Sequence, residues 1–248
     1  MKTNIIQNIH ANPASNKAII CLPYGGGSYY VFQNWKNSFK NPPNIYAVEY
    51  PGRNSRQNDP FLFTCREVAE EAYSELDTIL SRYETTLFGH SLGGVVAYEI
   101  AKLISHKQPS LLAGLIISGT NPPHKRRKLT PISDLSDDAF IEKIREYGGI
   151  SNVILQDKEF LTFITPVLRA DFKLVETYYD DSYYQSLQVD IQTLAGAEDH
   201  SVSPDTVAAW RDCTAGTSCH TTFPGNHFFI HEHENKVISL IEEFLHRS

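Results

Sequence analysis

The chain has 248 residues, of which 41% are hydrophobic, 21% charged and 11% aromatic, and its formal net charge is −7. That length fits one α/β domain with a sizeable core rather than two, and the aromatic content argues against disorder. The acidic balance argues against nucleic acid, a polyanion held by clustered Lys and Arg, and no apolar stretch approaches the ~20 residues of a membrane span.

The first residues, MKTNIIQNIHANPASNK, lack a charged segment followed by an apolar one, so no secretory leader is expected. Cys21, Cys65, Cys213 and Cys219 form no CxxC pair and read as reduced thiols, which points to a cytoplasmic chain. A monomer is the default expectation.

In chain order, short apolar runs stand at 18–22 (AIICL), 45–50 (IYAVEY), 86–89 (TLFG), 115–119 (LIISG), 191–196 (IQTLAG) and 219–223 (CHTTF). Runs of this length separated by helical patterns predict the strands of a mainly parallel sheet. Helices are predicted over 66–82, 92–105, 204–211 and 234–246. In the last, Val237, Ile238, Leu240, Ile241, Phe244 and Leu245 recur at three- and four-residue steps and make one apolar face.

Residues 121–188 break this rhythm and read as helical. Ser136 with Asp137 and Asp138 predicts one helix start, and Thr165 with Pro166 at the first helical position predicts another. An insertion of helices here would form a lid beside the sheet. The whole chain, 1–248, is then a single domain carrying that insertion.

Gly89-His90-Ser91-Leu92-Gly93 follows a predicted strand and precedes a predicted helix, the context of a nucleophile elbow. Such a turn is too sharp for flanking side chains, hence the glycines. A serine hydroxyl is a weak nucleophile at neutral pH and needs a base, which in turn needs an orienting group. In this kind of sheet the order is Ser, acid, His.

Asp199 follows the strand ending at Gly196 and is the favoured acid, with Glu198 and Asp205 as rivals and His200 as a solvent-facing neighbour. His227, in the loop after the strand 219–223, is the favoured base over His220, His231 and His233. His231-x-His233 beside Glu232 and Glu234 invites a metal reading, but no further ligand stands at zinc spacing and none is assigned. Three glycines, Gly25, Gly26 and Gly27, follow the first predicted strand, where hydrolases place an oxyanion donor, and the backbone amides of Gly25 and Leu92 are expected to form that pair. A phosphate loop is the rival, lacking the Gly-Lys-Ser/Thr ending.

PYGGGS (23–28), YPGR (50–53), GHSLGG (89–94), LRADF (168–172), GAED (196–199) and GNHFF (225–229) together resemble the motifs of the type II thioesterases that serve nonribosomal peptide and polyketide synthases. The resemblance runs over nearly the whole chain. It departs at Tyr24, where the family often has His, and at Gly25, where it often has Ala. It implies an α/β-hydrolase fold and hydrolysis of acyl thioesters from the phosphopantetheine arm of a carrier protein, by Ser91, His227 and Asp199, with no cofactor. A relative that releases medium-chain fatty acids shares the pattern. A small-molecule carboxylesterase or lipase with the same triad, or a catalytically silent hydrolase-like binding protein, would also fit it. Lys125, Arg126, Arg127 and Lys128 are the one dense positive run and are expected to dock an acidic carrier.

Overall fold

Each apolar run puts aliphatic side chains on both faces of a sheet, so both faces need covering, and helices cover them. The computed structural model describes residues 4–126, 130–147, 157–178 and 186–247. Among these, seven strands pair into one sheet: β1 (Ile6–His10), β2 (Lys17–Leu22), β3 (Asn44–Val48), β4 (Glu84–His90), β5 (Leu112–Ser118), β6 (Asp190–Gly196) and β7 (Ser218–Phe223). Their order is β1-β3-β2-β4-β5-β6-β7, with β1 antiparallel to β3 and every other pairing parallel. Leu22 lies opposite Gly89, His90 opposite Ser118, and Gly196 opposite Phe223. The carboxyl ends of β2, β4, β5, β6 and β7 therefore gather at one edge, where the loops between strand and helix converge.

Among the described residues the α-helices are α1 (Trp35–Ser38), α2 (Cys65–Tyr73), α3 (Asp77–Leu80), α4 (Leu92–Lys107), α5 (Asp137–Tyr147), α6 (Lys158–Thr177), α7 (Pro204–Ala208), α8 (Phe229–Glu232) and α9 (Glu234–Arg247). Alternation along β2 splits the core: Ile20 and Leu22 face a cluster with Val68, Ala72, Val95 and Tyr98, while Ile19 and Cys21 face one with Trp35, Phe88, Val237 and Ile241. Full burial of each of the valine, leucine, isoleucine and phenylalanine side chains stabilises the fold by about 1.5–3 kcal/mol.

Two expectations change and one strand is added. The helix expected over 66–82 divides into α2 and α3, because Ser74 Oγ bonds back to Glu71 O at 2.7 Å and offers the chain an alternative to continuing the ladder. Thr165 is not a cap and Pro166 is not at a helix start: α6 begins at Lys158, where Asp157 Oδ1 accepts from the N–H groups of Glu159 and Phe160, and Pro166 lies inside the helix. β1 is an additional strand at the antiparallel edge. No helix among the described residues is long and apolar enough to cross a membrane. All four cysteines are free, and burial pushes the Cys65 and Cys213 thiols up to about 12, so neither competes as a nucleophile at neutral pH.

Candidate active site

Ser91 stands between β4 and α4 with φ 55° and ψ −117°, a strained backbone for a residue with a side chain. Sterics explain the flanking glycines. A Cβ on Gly89 would lie 2.1 Å from Gly93 O, and one on Gly93 would lie 2.1 Å from Leu22 O. The second contact presses the first turn of α4 against the end of β2, where the glycine loop begins. Leu92 is the first residue of α4, so its N–H is one of the donors a helix start leaves without an intrahelical acceptor.

His227 Nδ1 donates to Asp199 Oδ2 at 2.6 Å. That bond makes Nε2 the accepting nitrogen of the ring. Ser91 N–H donates to Ser118 O at 2.8 Å, and a Cβ on the next residue, Gly119, would lie 3.4 Å from His227 Cε1. The imidazole thus stands against the backbone that holds Ser91, and its centroid is 5.0 Å from that of His90, the residue before the serine.

Asp199 is 8% exposed. Burial alone would raise its carboxyl, but the His227 hydrogen bond and charge, with donation from Ser201, hold it below the usual range. Ser201 contributes its N–H at 2.8 Å and its hydroxyl at 2.5 Å to Oδ1, and Val202 N–H a further 3.3 Å contact. The rivals are elsewhere occupied: Glu198 is exposed and accepts from Gly225 N–H, and Asp205 is exposed in the first turn of α7. His220 pairs with Thr193 Oγ1 at 2.8 Å within the sheet.

His90 is fully buried with Nδ1 2.8 Å from Ser118 Oγ. Desolvation, reinforced by His227 and His231 nearby, holds its pKa well below the usual value. It stays neutral beside the His227 ring. Tyr24, the residue that departs from the expected motif, reaches His231 Nε2 with its hydroxyl at 3.0 Å and packs edge-on to His90 and Phe228.

The roles of Arg53, Asp171 and Ser201 were not read from the sequence. Arg53 and Asp171 form a bidentate pair at 2.8 and 2.6 Å, 5% and 2% exposed, that also bonds the glycine loop. Ser201 had one local signal, the Asp-x-Ser spacing of a side-chain turn. Of the basic run, Lys125 is exposed, whereas Arg126 turns inward, its Nη2 2.7 Å from Thr120 Oγ1 and its guanidinium 5.3 Å over the Tyr178 ring. Hydrogen bonding and stacking commit the half-buried Arg126 side chain to partners within the chain. Arg127 and Lys128 lie outside the described residues.

Residues 17–245 match the Thioesterase domain family. The chain belongs to the thioesterase family. It is 31% identical over 243 residues to thioesterase PikA5 of Streptomyces venezuelae, covering 97% of this chain and 85% of that one. It is 26% identical to the medium-chain S-acyl fatty acid synthase thioesterase of Rattus norvegicus, covering 94% of this chain and 88% of the relative. Among solved structures, the type II thioesterase BorB from the borrelidin biosynthetic cluster superposes with a TM-score of 0.86 at 27% identity over 99% of both chains. The fold is that of the α/β-hydrolases, and this thioesterase is a hydrolase acting on thioesters.

Proposed function

We propose that this thioesterase removes acyl groups from the phosphopantetheine arm of carrier proteins, clearing stalled or wrong groups from a nonribosomal peptide or polyketide synthase. The observation that carries the reading is the 2.6 Å Asp199–His227 bond, which fixes the imidazole beside the strained elbow. The family, and the biosynthetic relatives PikA5 and BorB, support the substrate class.

In this reading Ser91 Oγ attacks the thioester carbonyl carbon while His227 Nε2 takes the hydroxyl proton and Asp199 stabilises the resulting imidazolium. The N–H groups of Gly25 and Leu92 receive the oxyanion. Collapse breaks the C–S bond, and His227 returns the proton to the departing sulfur. Water, deprotonated by His227, then attacks the acyl-serine, and a second collapse frees the acid and restores Ser91. The segment carrying α5 and α6 acts as a lid over this mouth. Lys125, with Arg127 and Lys128, supplies basic contacts for an acidic carrier, which the chain's net charge of −7 would otherwise repel.

The test is mass spectrometry of acylated carrier proteins incubated with the parent enzyme and with Ser91→Ala. The parent should release the carrier thiol and the variant should leave the acyl mass in place. Equal release by both, or faster hydrolysis of simple oxygen esters than of carrier thioesters, refutes the reading.

A further inference from the structure

The buried pair Arg53–Asp171 joins three parts of the chain, and the proposed chemistry uses neither of its two side chains. Arg53 follows the turn after β3, Asp171 lies on α6, and both face the glycine loop after β2. Asp171 Oδ2 accepts the Gly26 N–H at 2.7 Å and Arg53 Nη1 at 2.8 Å. The same Nη1 donates to Gly27 O at 2.8 Å, while Nη2 donates to Asp171 Oδ1 at 2.6 Å. Burial alone would lower the guanidinium's basicity, but the carboxylate beside it reverses that and keeps it charged.

The loop is fixed at further points. Tyr50 OH donates to Pro23 O at 3.0 Å, and Gly27 N–H to Tyr24 O at 2.9 Å. Gly26 has φ 77°, and a Cβ there would lie 2.6 Å from Leu168 Cδ2, also on α6. So the carbonyls of Pro23, Tyr24 and Gly27 and the N–H of Gly26 are each committed to a partner, and the Gly25 N–H lies outside the clamp. Glycine at 25 carries extra backbone freedom compared with alanine. A donor that must point at a developing charge has to be held before the reaction, and here the holding comes from outside the loop.

We infer that Asp171 and Arg53 are positioning residues that hold the glycine loop against α6 so that the Gly25 N–H is aimed at the oxyanion. This rests on the reading of Ser91 and Gly25 given above. The pair makes helix α6, in the segment between β5 and β6, part of the transition-state machinery: displacing α6 would pull on Gly26 through Asp171.

The test compares the parent, Asp171→Asn, Arg53→Lys and the double variant Arg53→Met/Asp171→Leu. The double variant removes both buried charges together, so the fold is not left with one unpaired. Thermal unfolding, kcat and KM on an acyl-pantetheine thioester, and inhibition by a trifluoromethyl ketone analogue are measured for each. The ketone adds to the serine and places an O⁻ where the oxyanion forms. Expected are a kcat lowered roughly 10- to 100-fold, a KM within about 3-fold, and ketone affinity falling by the same factor as kcat/KM, in the double variant as well as the single ones.

Folded variants with the parent's kcat and ketone affinity overturn the inference, as does a kcat that falls only in proportion to the folded fraction. A change confined to KM overturns it too. A parent enzyme that turned over no thioester would instead sink the functional reading, and the clamp with it.

Discussion

Gly93→Ala sets two magnitudes against each other. On helix propensity alone, alanine in α4 should stabilise the fold by about 1 kcal/mol over glycine. The structure says otherwise, because the new Cβ would lie 2.1 Å from Leu22 O, 2.6 Å from Leu22 C and 2.7 Å from Pro23 O, all below the 3.0 Å that real Cβ contacts respect. These are backbone atoms with no rotamer to change, so α4 and the end of β2 must part by about 1 Å. Overpacking of this kind costs about 1–3 kcal/mol, which exceeds the propensity gain. The displacement also falls at the two proposed oxyanion donors, since Leu92 rides on α4 and Gly25 on the loop that leaves β2. A 1 Å misplacement at a reacting centre costs on the order of 100-fold in rate. Thiol release from an acyl-pantetheine substrate should show that loss in kcat while thermal unfolding shows a Tm lowered by a few degrees. A variant with an unchanged or raised Tm and kcat within about 3-fold of the parent would refute the steric argument.

Asp199→Asn leaves the shape of the site but removes the charge that fixes the His227 tautomer, so kcat should fall by about 10²- to 10⁴-fold with the unfolding transition retained; near-parent turnover would exclude Asp199 as the orienting group. Tyr24→Phe deletes the 3.0 Å bond to His231 and keeps the ring packing, so a loss of about 1 kcal/mol in stability is expected from urea unfolding, and no loss would mean that the hydroxyl holds nothing. Burial pushes the Glu49 carboxyl up to about 7, above its ordinary 4.5, with its Oε1 buried and unpaired. The stability of its neutral form is present below about pH 4.5 and is lost as pH rises through about 7. Glu49→Gln should therefore gain on the parent by on the order of 2 kcal/mol between pH 5 and pH 8, and parallel pH dependences would contradict this.

The sheet was readable because its strands are continuous apolar runs, and the elbow because a sharp turn can be built only with small residues beside Ser91. β1 was not, since Ile6, Gln7, Asn8 and His10 at a half-exposed edge carry no run and little alternation. The division between α2 and α3 escaped because Ser74 acts through a bond to its own backbone neighbourhood, which residue periodicity does not register. The inward turn of Arg126 depends on Thr120 and on Tyr178, a residue from the far end of α6, and a charged run reads as solvated until such partners are known.

Arg53 and Asp171 illustrate the deeper limit. Each sits in a motif visible in the sequence, yet they are 118 positions apart, and neither spacing nor composition says that they meet. Tyr24 is a similar case: the hydroxyl of this half-buried ring meets His231, 207 positions on. Departure and compensation come from opposite ends of the polypeptide. The residues that react can be identified one by one from local chemistry, whereas those that hold them act in pairs, and a pair becomes legible only when the fold closes the distance between its members.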